Sequence, residues 1–216
     1  TMIPDESLAH ADAIVIGDAE TVWSQLLEDA EAGVLLPRYY GEGGGDGPLT
    51  GIGTDWSIFE GKHYLPVRLS QFSRGCINQC EYCATGNIYR RSHRCRPIPE
   101  VVGELERVGA RFVFFVDDNI VADKERATDL FRALIPLKVR WFGQADLSFA
   151  TDPEFMDLML RSGCCGLVIG FESLDRDRLE QMGKNCNLGF ESYDPLVESI
   201  RQSGLLTWAA FLLGYD

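Results

Sequence analysis

Long apolar runs are absent. No stretch approaches the roughly 18 to 20 residues that span a bilayer, which excludes a transmembrane helix. The opening residues carry no basic region followed by an apolar one, so they do not read as a signal peptide. Basic residues are nearly missing from the first 60 positions, where Arg38 stands alone against 12 acids. The 216-residue chain has a formal net charge of −13. Such a chain repels phosphate backbones at long range, which disfavours general nucleic-acid binding. Histidine is scarce, and His10 and His63 have no partner motif beside them. An even cysteine count is also lacking. Seven cysteines without a signal peptide point to reduced thiols in a cytoplasm-like compartment.

What is there is an ordinary globular composition, 45% apolar and 25% charged. This excludes a disordered, collagenous or fibrous chain. At this length roughly 70% of the unfolded surface can be buried, so neither disulfides nor zinc is needed for stability. Residues 1–33 read as a helix fragment at 5–11, a short strand at 13–17 and a helix at 20–31. That helix places Val22, Trp23, Leu26, Leu27 and Ala30 on one face. Residues 34–66 read as a linker, with 41–53 too rich in glycine for regular structure. Tyr39, Tyr40, Trp56, Phe59 and Tyr64 are expected to hold it against a surface. From 67 to 216 apolar strands alternate with amphipathic helices: strands at 67–72, 111–116, 139–142, 166–171 and 205–213, helices at 99–108, 124–135, 153–160 and 193–202. That alternation predicts an α/β fold with five parallel strands covered by helices.

The chemistry-bearing motif is SRGCINQCEYC, with Cys76, Cys80 and Cys83 spaced C-x3-C-x2-C directly after the first of these strands. Loops at the carboxyl ends of parallel strands are where α/β barrels keep their chemistry. Three thiolates can converge on one centre and leave a coordination position open. A zinc site would recruit a fourth ligand, Cys95 or His93, and a structural [4Fe–4S] centre would usually take four cysteines. The spacing favours an iron–sulfur site over zinc or free thiols.

Cys76, Cys80, Tyr82 and Cys83 after a first barrel strand resemble the radical S-adenosylmethionine (SAM) superfamily, and the likeness covers residues 67–216. FSRGC, FVDDN at 115–119 and GFES at 170–173 resemble its cobalamin-binding branch. HADAIVIGDAE, followed by a helix bearing Trp23, is similar to the last strand and helix of a Rossmann-like cobalamin-binding domain. The resemblance implies a partial (βα)6-type barrel with its sixth unit, and most of the cobalamin domain, outside this chain. It implies a [4Fe–4S] cluster on Cys76, Cys80 and Cys83, with SAM on the open iron and cobalamin in the whole protein. The activity implied is formation of a 5′-deoxyadenosyl radical and methyl transfer to carbon. The partners implied are a small-molecule substrate and a flavodoxin- or ferredoxin-like electron donor. Tyr82 would lie beside the adenine, Asp117 and Asp118 would receive the methionine ammonium, and Glu172 would meet the ribose hydroxyls. Gln144 and Asp146 would face the pocket, and Ala210, Leu212 and Gly214 match a strand-five pattern that packs on adenine. Packing, capping or solvation competes with function at each of these positions.

Two rival readings stand beside this one. Arg90, Arg91, Arg94 and Arg96 lie in the segment 89–96, and residues 61–110 carry eight bases against four acids. They admit a methylthiolating RNA-modifying enzyme, against which stand the acidic net charge and the absence of a second cluster motif. A solvated loop balancing the acidic N-terminal segment explains them more simply. A non-enzymatic zinc module built on Cys76, Cys80, Cys83 and Cys95 is the other rival. Cys164 and Cys165 read as packing residues, and Cys186 as a loop cysteine with no partner.

Overall fold

The computed structural model describes residues 3–41, 49–89 and 91–215. Arg90 and most of the Gly-rich run therefore lie outside the described residues. The chain opens with helix α1 (Pro4–Leu8), strand β1 (Ile14–Ile16), helix α2 (Trp23–Ala32) and strand β2 (Arg38–Tyr40). β2 pairs in parallel with β1, so this region is a small βαβ unit. β2 falls inside the stretch that reads as linker, because three residues are too few to show a strand period. α2 ends at Gly33, whose φ of 71° suits a residue without Cβ. Its apolar face is not buried: Trp23 and Leu27 are exposed. Of the five aromatic anchors, Tyr39 is buried and hydrogen-bonds Asp29 at 2.7 Å. Trp56 and Phe59 pack at 5.3 Å with Arg68 over the Trp56 ring. Tyr40 and Tyr64 are exposed, although Tyr64 sits edge-on to Phe59.

The larger unit begins with β3 (Arg68–Ser70) and β4 (Ser73–Gly75). Then come helix α3 (Ala84–Ile88), β5 (His93–Cys95), α4 (Ile98–Arg107), β6 (Phe112–Phe115), α5 (Lys124–Leu134), β7 (Arg140–Ala145) and α6 (Pro153–Arg161). It closes with β8 (Cys164–Glu172), α7 (Arg176–Gln181), α8 (Asn185–Leu188), α9 (Asp194–Gln202) and β9 (Leu206–Phe211). Strands β3, β6, β7, β8 and β9 form one five-stranded sheet in that order, every pair parallel. Aspartates start several connections: Asp123 caps α5, Asp152 caps α6 beside Pro153, and Asp175 caps α7. Alternate strand residues point into the helices. Val113, Phe115, Trp141, Leu167 and Ile169 are buried there against Leu130, Phe131 and Leu134, and Phe131 stacks on Trp141 at 5.3 Å. On the opposite face Phe114, Phe142, Gly166, Val168, Leu206 and Trp208 line an apolar trough of about 700 Å³.

One element is not visible in the sequence pattern. Strands β4 and β5 form an antiparallel hairpin between β3 and α4, so the cysteine loop leaves a hairpin and not the barrel strand itself. Arg74 and Arg94 stand directly opposite each other on it, where like charges repel. Asp18, just past β1, separates them, 3.3 Å from Arg74 Nη1 and 2.5 Å from Arg94 Nη2. Glu20 takes Arg74 Nη2 at 2.7 Å. These ion pairs fasten the N-terminal unit to the hairpin. Arg96 is buried against Glu104 at 2.7 Å, and Arg91 donates to Gln79. Arg94 therefore balances the acidic N-terminal segment as expected, yet it and Arg96 are inside the protein and not on a solvated loop. No helix among the described residues is long and apolar enough to cross a membrane.

Candidate cofactor site

The cysteine loop is held from both sides. Gly75 has φ 88°, and a Cβ there would lie 2.0 Å from Ser92 O, so the close approach of β4 to β5 requires glycine. Asp118 accepts from Gly75 N at 2.9 Å and from Thr85 Oγ1 at 3.0 Å, bracketing the loop just outside Cys76 and Cys83. Glu81 N donates to Met182 O at 2.8 Å, which docks the loop on the turn after α7. Gly183 at that turn has φ 64° and faces Gln79 O.

Cys76, Cys80 and Cys83 all face one cavity of about 240 Å³. Tyr82, Asp118, Gln144, Glu172 and Lys184 line the same cavity, as do Asn78, Asn119, Asp146 and Ala210. Lys184 is its single basic wall residue, against the carboxylates Asp118, Asp146 and Glu172. β7 reaches further than the sequence pattern suggests, which puts Gln144 inside the strand, where Nε2 donates to Asp117 O at 3.3 Å. Glu172 ends β8 at a register shift with φ 64°, a conformation that costs about 1–3 kcal/mol in a residue with a side chain and marks functional corners. It folds back over Gly170, where a Cβ would lie 2.3 Å from Glu172 Oε1 and 3.0 Å from Lys184 Nζ. Lys184 Nζ stands 3.5 Å from Glu172 Oε1.

The charges shape one another. Burial works against the Lys184 ammonium, but Cys186, Cys80, Glu172 and Asp146 together hold it above its ordinary pKa. Burial also raises the thiols of Cys76 and Cys80, and raises Tyr82, with Cys80 and Glu172 adding to it. Burial opposes ionisation of Asp146, yet donors from Ser148, Asn78 and Asn119 outweigh it and hold the carboxyl below its usual range.

Three residues expected at the cofactor, Asp117, Leu212 and Gly214, do not line this cavity. Asp117 is fully buried and faces the other way, accepting from Phe72 N at 3.0 Å and from Ser73 N and Oγ. It pins the start of the hairpin. Gly214 lies beyond the end of β9 with open space around it. Lys184 and Asn78 are site residues that the sequence reading does not name. Cys95 and His93 are not on the cavity wall. Burial pushes the Cys95 thiol up to about 11, and its sulfur meets the His93 ring at 4.0 Å. Cys186 does have neighbours: it lies in α8, 3.5 Å from Asn187 Oδ1, with its thiol pushed up by burial to about 12. Cys164 is buried in the core, while Cys165 donates to Trp141 O at 3.2 Å.

Among the described residues, no three His, Cys, Asp or Glu side chains are placed to hold one metal ion. A tetrahedral zinc site needs four ligands that share one centre, and neither Cys95 nor His93 is on the wall that Cys76, Cys80 and Cys83 line. A cluster asks for less, since each thiolate binds a different iron. Three soft sulfur donors around one cavity suit that chemistry.

A parallel α/β sheet carrying a three-cysteine loop and a polar pocket at its strand ends defines a cofactor-dependent enzyme. The Radical SAM superfamily model matches residues 70–214, and the chain belongs to that superfamily. It is 30% identical, over its whole length, to bacteriochlorophyllide d C-12(1)-methyltransferase of Chlorobaculum tepidum, covering 49% of that protein. Over 68% of the chain it is 31% identical to hopanoid C-2 methylase of Rhodopseudomonas palustris, 29% of which is covered. The chain thus spans about half, or less, of the length of these curated relatives. Two solved structures share the fold. One is OxsB, a cobalamin-dependent SAM radical enzyme with aqua-cobalamin bound, with TM-score 0.69 and 15% identity, covering 97% of this chain and 35% of that one. The other is TsrM of Kitasatospora setae, a radical SAM methyltransferase with cobalamin and a [4Fe–4S] cluster bound, with TM-score 0.60 and 20% identity, covering 68% and 31%.

Proposed function

We propose that Cys76, Cys80 and Cys83 hold a [4Fe–4S] cluster whose open iron takes SAM, and that the whole protein is a cobalamin-dependent C-methyltransferase. The observation that carries this is the convergence of the three thiols with one ammonium and three carboxylates on a single small cavity. Once bound, the cluster would supply the electron that splits SAM into methionine and a 5′-deoxyadenosyl radical. The chain's own residues would bind and orient the cofactor. Lys184 would take its carboxylate, Asp118 and Glu172 its ammonium and ribose hydroxyls, and Tyr82, Gln144 and Ala210 would bound the adenosine. The half-buried walls would keep water and stray hydrogen donors from the radical. The βαβ unit through Tyr40 would be the tail of a cobalamin-binding domain, followed by the linker and by the catalytic core from residue 67. A small-molecule substrate, a flavodoxin- or ferredoxin-like donor and a cytoplasmic setting accompany this reading. Against the RNA reading, Arg94 and Arg96 are spent on Asp18 and Glu104.

Anaerobic reconstitution tests the proposal. The protein should take up about four irons and absorb broadly in the visible, as thiolate-held clusters do. Changing Cys76, Cys80 or Cys83 to Ala should abolish this, and Cys95→Ala should not. Stoichiometric zinc without iron would overturn the proposal.

A further inference from the structure

Asn119 is 3% exposed and sits one residue past Asp118, on the loop after β6. Its Oδ1 accepts two backbone N–H groups, from Val121 and Asp146, each at 3.3 Å. Two donors on one side settle which end of the amide is oxygen. Nδ2 therefore points the other way with two hydrogens to place. One goes to Asp146 Oδ2 at 2.8 Å. The second faces Cys76 Sγ, 3.9 Å from the nitrogen. Cys76 Sγ also accepts the Asn78 backbone N–H at 3.4 Å, and the Asn78 side chain donates to Asp146 Oδ2 at 3.0 Å. One carboxylate oxygen thus fixes both residues whose N–H groups are directed at Cys76.

We infer that Asn119 is a positioning residue for the redox poise of the cluster: its side-chain N–H donates to the Cys76 thiolate and eases reduction, and Asp146 aims it. The inference rests on the reading of Cys76, Cys80 and Cys83 as cluster ligands. Reduction adds one electron, delivered by the flavodoxin- or ferredoxin-like donor, and part of its charge spreads onto the ligand sulfurs. An N–H dipole directed at such a sulfur stabilises the reduced form more than the oxidised one, and hydrogen bonds to sulfur are among the levers that set these potentials. The Asp146 carboxylate pulls in the opposite direction. Its Oδ2 is occupied by two amides and its Oδ1 by Ser148 N, so its charge is partly neutralised where it lies nearest the cysteine.

The test is Asn119→Leu in the full chain, which removes the donor at similar size. After anaerobic reconstitution the variant should hold as much iron as the unmutated protein, and its midpoint potential, from a redox titration followed by paramagnetic resonance, should be more negative. A second measurement needs no variant. With ¹⁵N placed only in asparagine side-chain amides, the reduced unmutated cluster should show a nitrogen coupling and an exchangeable-proton coupling from one such amide. An unchanged potential, or absence of that nitrogen coupling, overturns the role of Asn119 and leaves the cluster intact as a reading. Failure of the unmutated protein to assemble any four-iron cluster overturns both.

Discussion

Replacing Lys184 by Met is the sharpest probe of how this pocket holds its cofactor. Lys184 is 8% exposed and is the one cation on a wall that carries three carboxylates. A ligand carboxylate entering without it would meet only like charge. With it, the ligand gains a charge-assisted hydrogen bond in a desolvated site, worth roughly 1.5–3 kcal/mol. That corresponds to roughly 10- to 150-fold in affinity. Met keeps the apolar stem and removes the charge, so the loop contacts around Gly183 should persist. The assay is titration of SAM into the reduced, reconstituted protein, reading the change in the cluster's paramagnetic resonance spectrum. Iron content should be unaltered and SAM affinity lowered by one to two orders of magnitude. Decarboxylated SAM serves as the control, because its binding should be nearly indifferent to the substitution. Equal weakening of both ligands would mean that Lys184 supports the pocket through Glu172 and does not read the carboxylate, and unaltered SAM affinity would refute the electrostatic argument outright.

Two further outcomes follow from buried charges outside the pocket. Arg96 and Glu104 are each about 2% exposed in their side chains. Arg96→Met alone should therefore cost roughly 3–5 kcal/mol in urea unfolding by stranding Glu104, and adding Glu104→Leu should recover most of it. No recovery would show that the pair does more than neutralise itself. Burial pushes the Asp117 carboxyl up to about 6 from an ordinary 3.8, against the pull of Ser73 and Phe72 donors. The neutral form is then the one that folding favours. Its stabilisation is complete below about pH 4 and is lost as pH rises through 6. Between pH 4 and 7 the unmutated protein should lose up to about 3 kcal/mol relative to Asp117→Asn. Unfolding curves for both at several pH values check this, and a gap that changes in the opposite sense would mean that the three donors hold the carboxylate ionised.

The sheet was legible because its evidence is local and repeated. Residues 111–116 are a solid apolar strand between helical periods, and the structure builds β6 there and buries Val113 and Phe115. The hairpin and β2 were not legible. Each strand is three residues long, too short for a period of two to show, and both depend on partners distant in the chain. The same limit operates within the site. Asp117 and Asp118 are adjacent acids at one strand end, and the sequence treats them alike. In an extended segment neighbouring side chains point to opposite sides, so at most one of the two can face the cavity. Which one depends on where the hairpin docks: its backbone N–H groups take up Asp117, and Asp118 closes the cysteine loop.

Spacing along the chain singles out the sulfurs proposed to bind iron, because three cysteines within eight residues have few other uses. It does not show what surrounds the sulfur. Cys76 meets Asn119 from the loop after β6, and that amide is aimed by Asp146 from the end of β7. Lys184, after α7, reaches Glu172 at the end of β8. Asn119, Asp146 and Lys184 are brought to the cavity by three different connections, after β6, β7 and β8. The proposed ligand set belongs to one loop and can be read from it. The potential at the sulfur and the charge offered to the cofactor belong to the sheet, because only parallel strands that end on the same side bring those connections together.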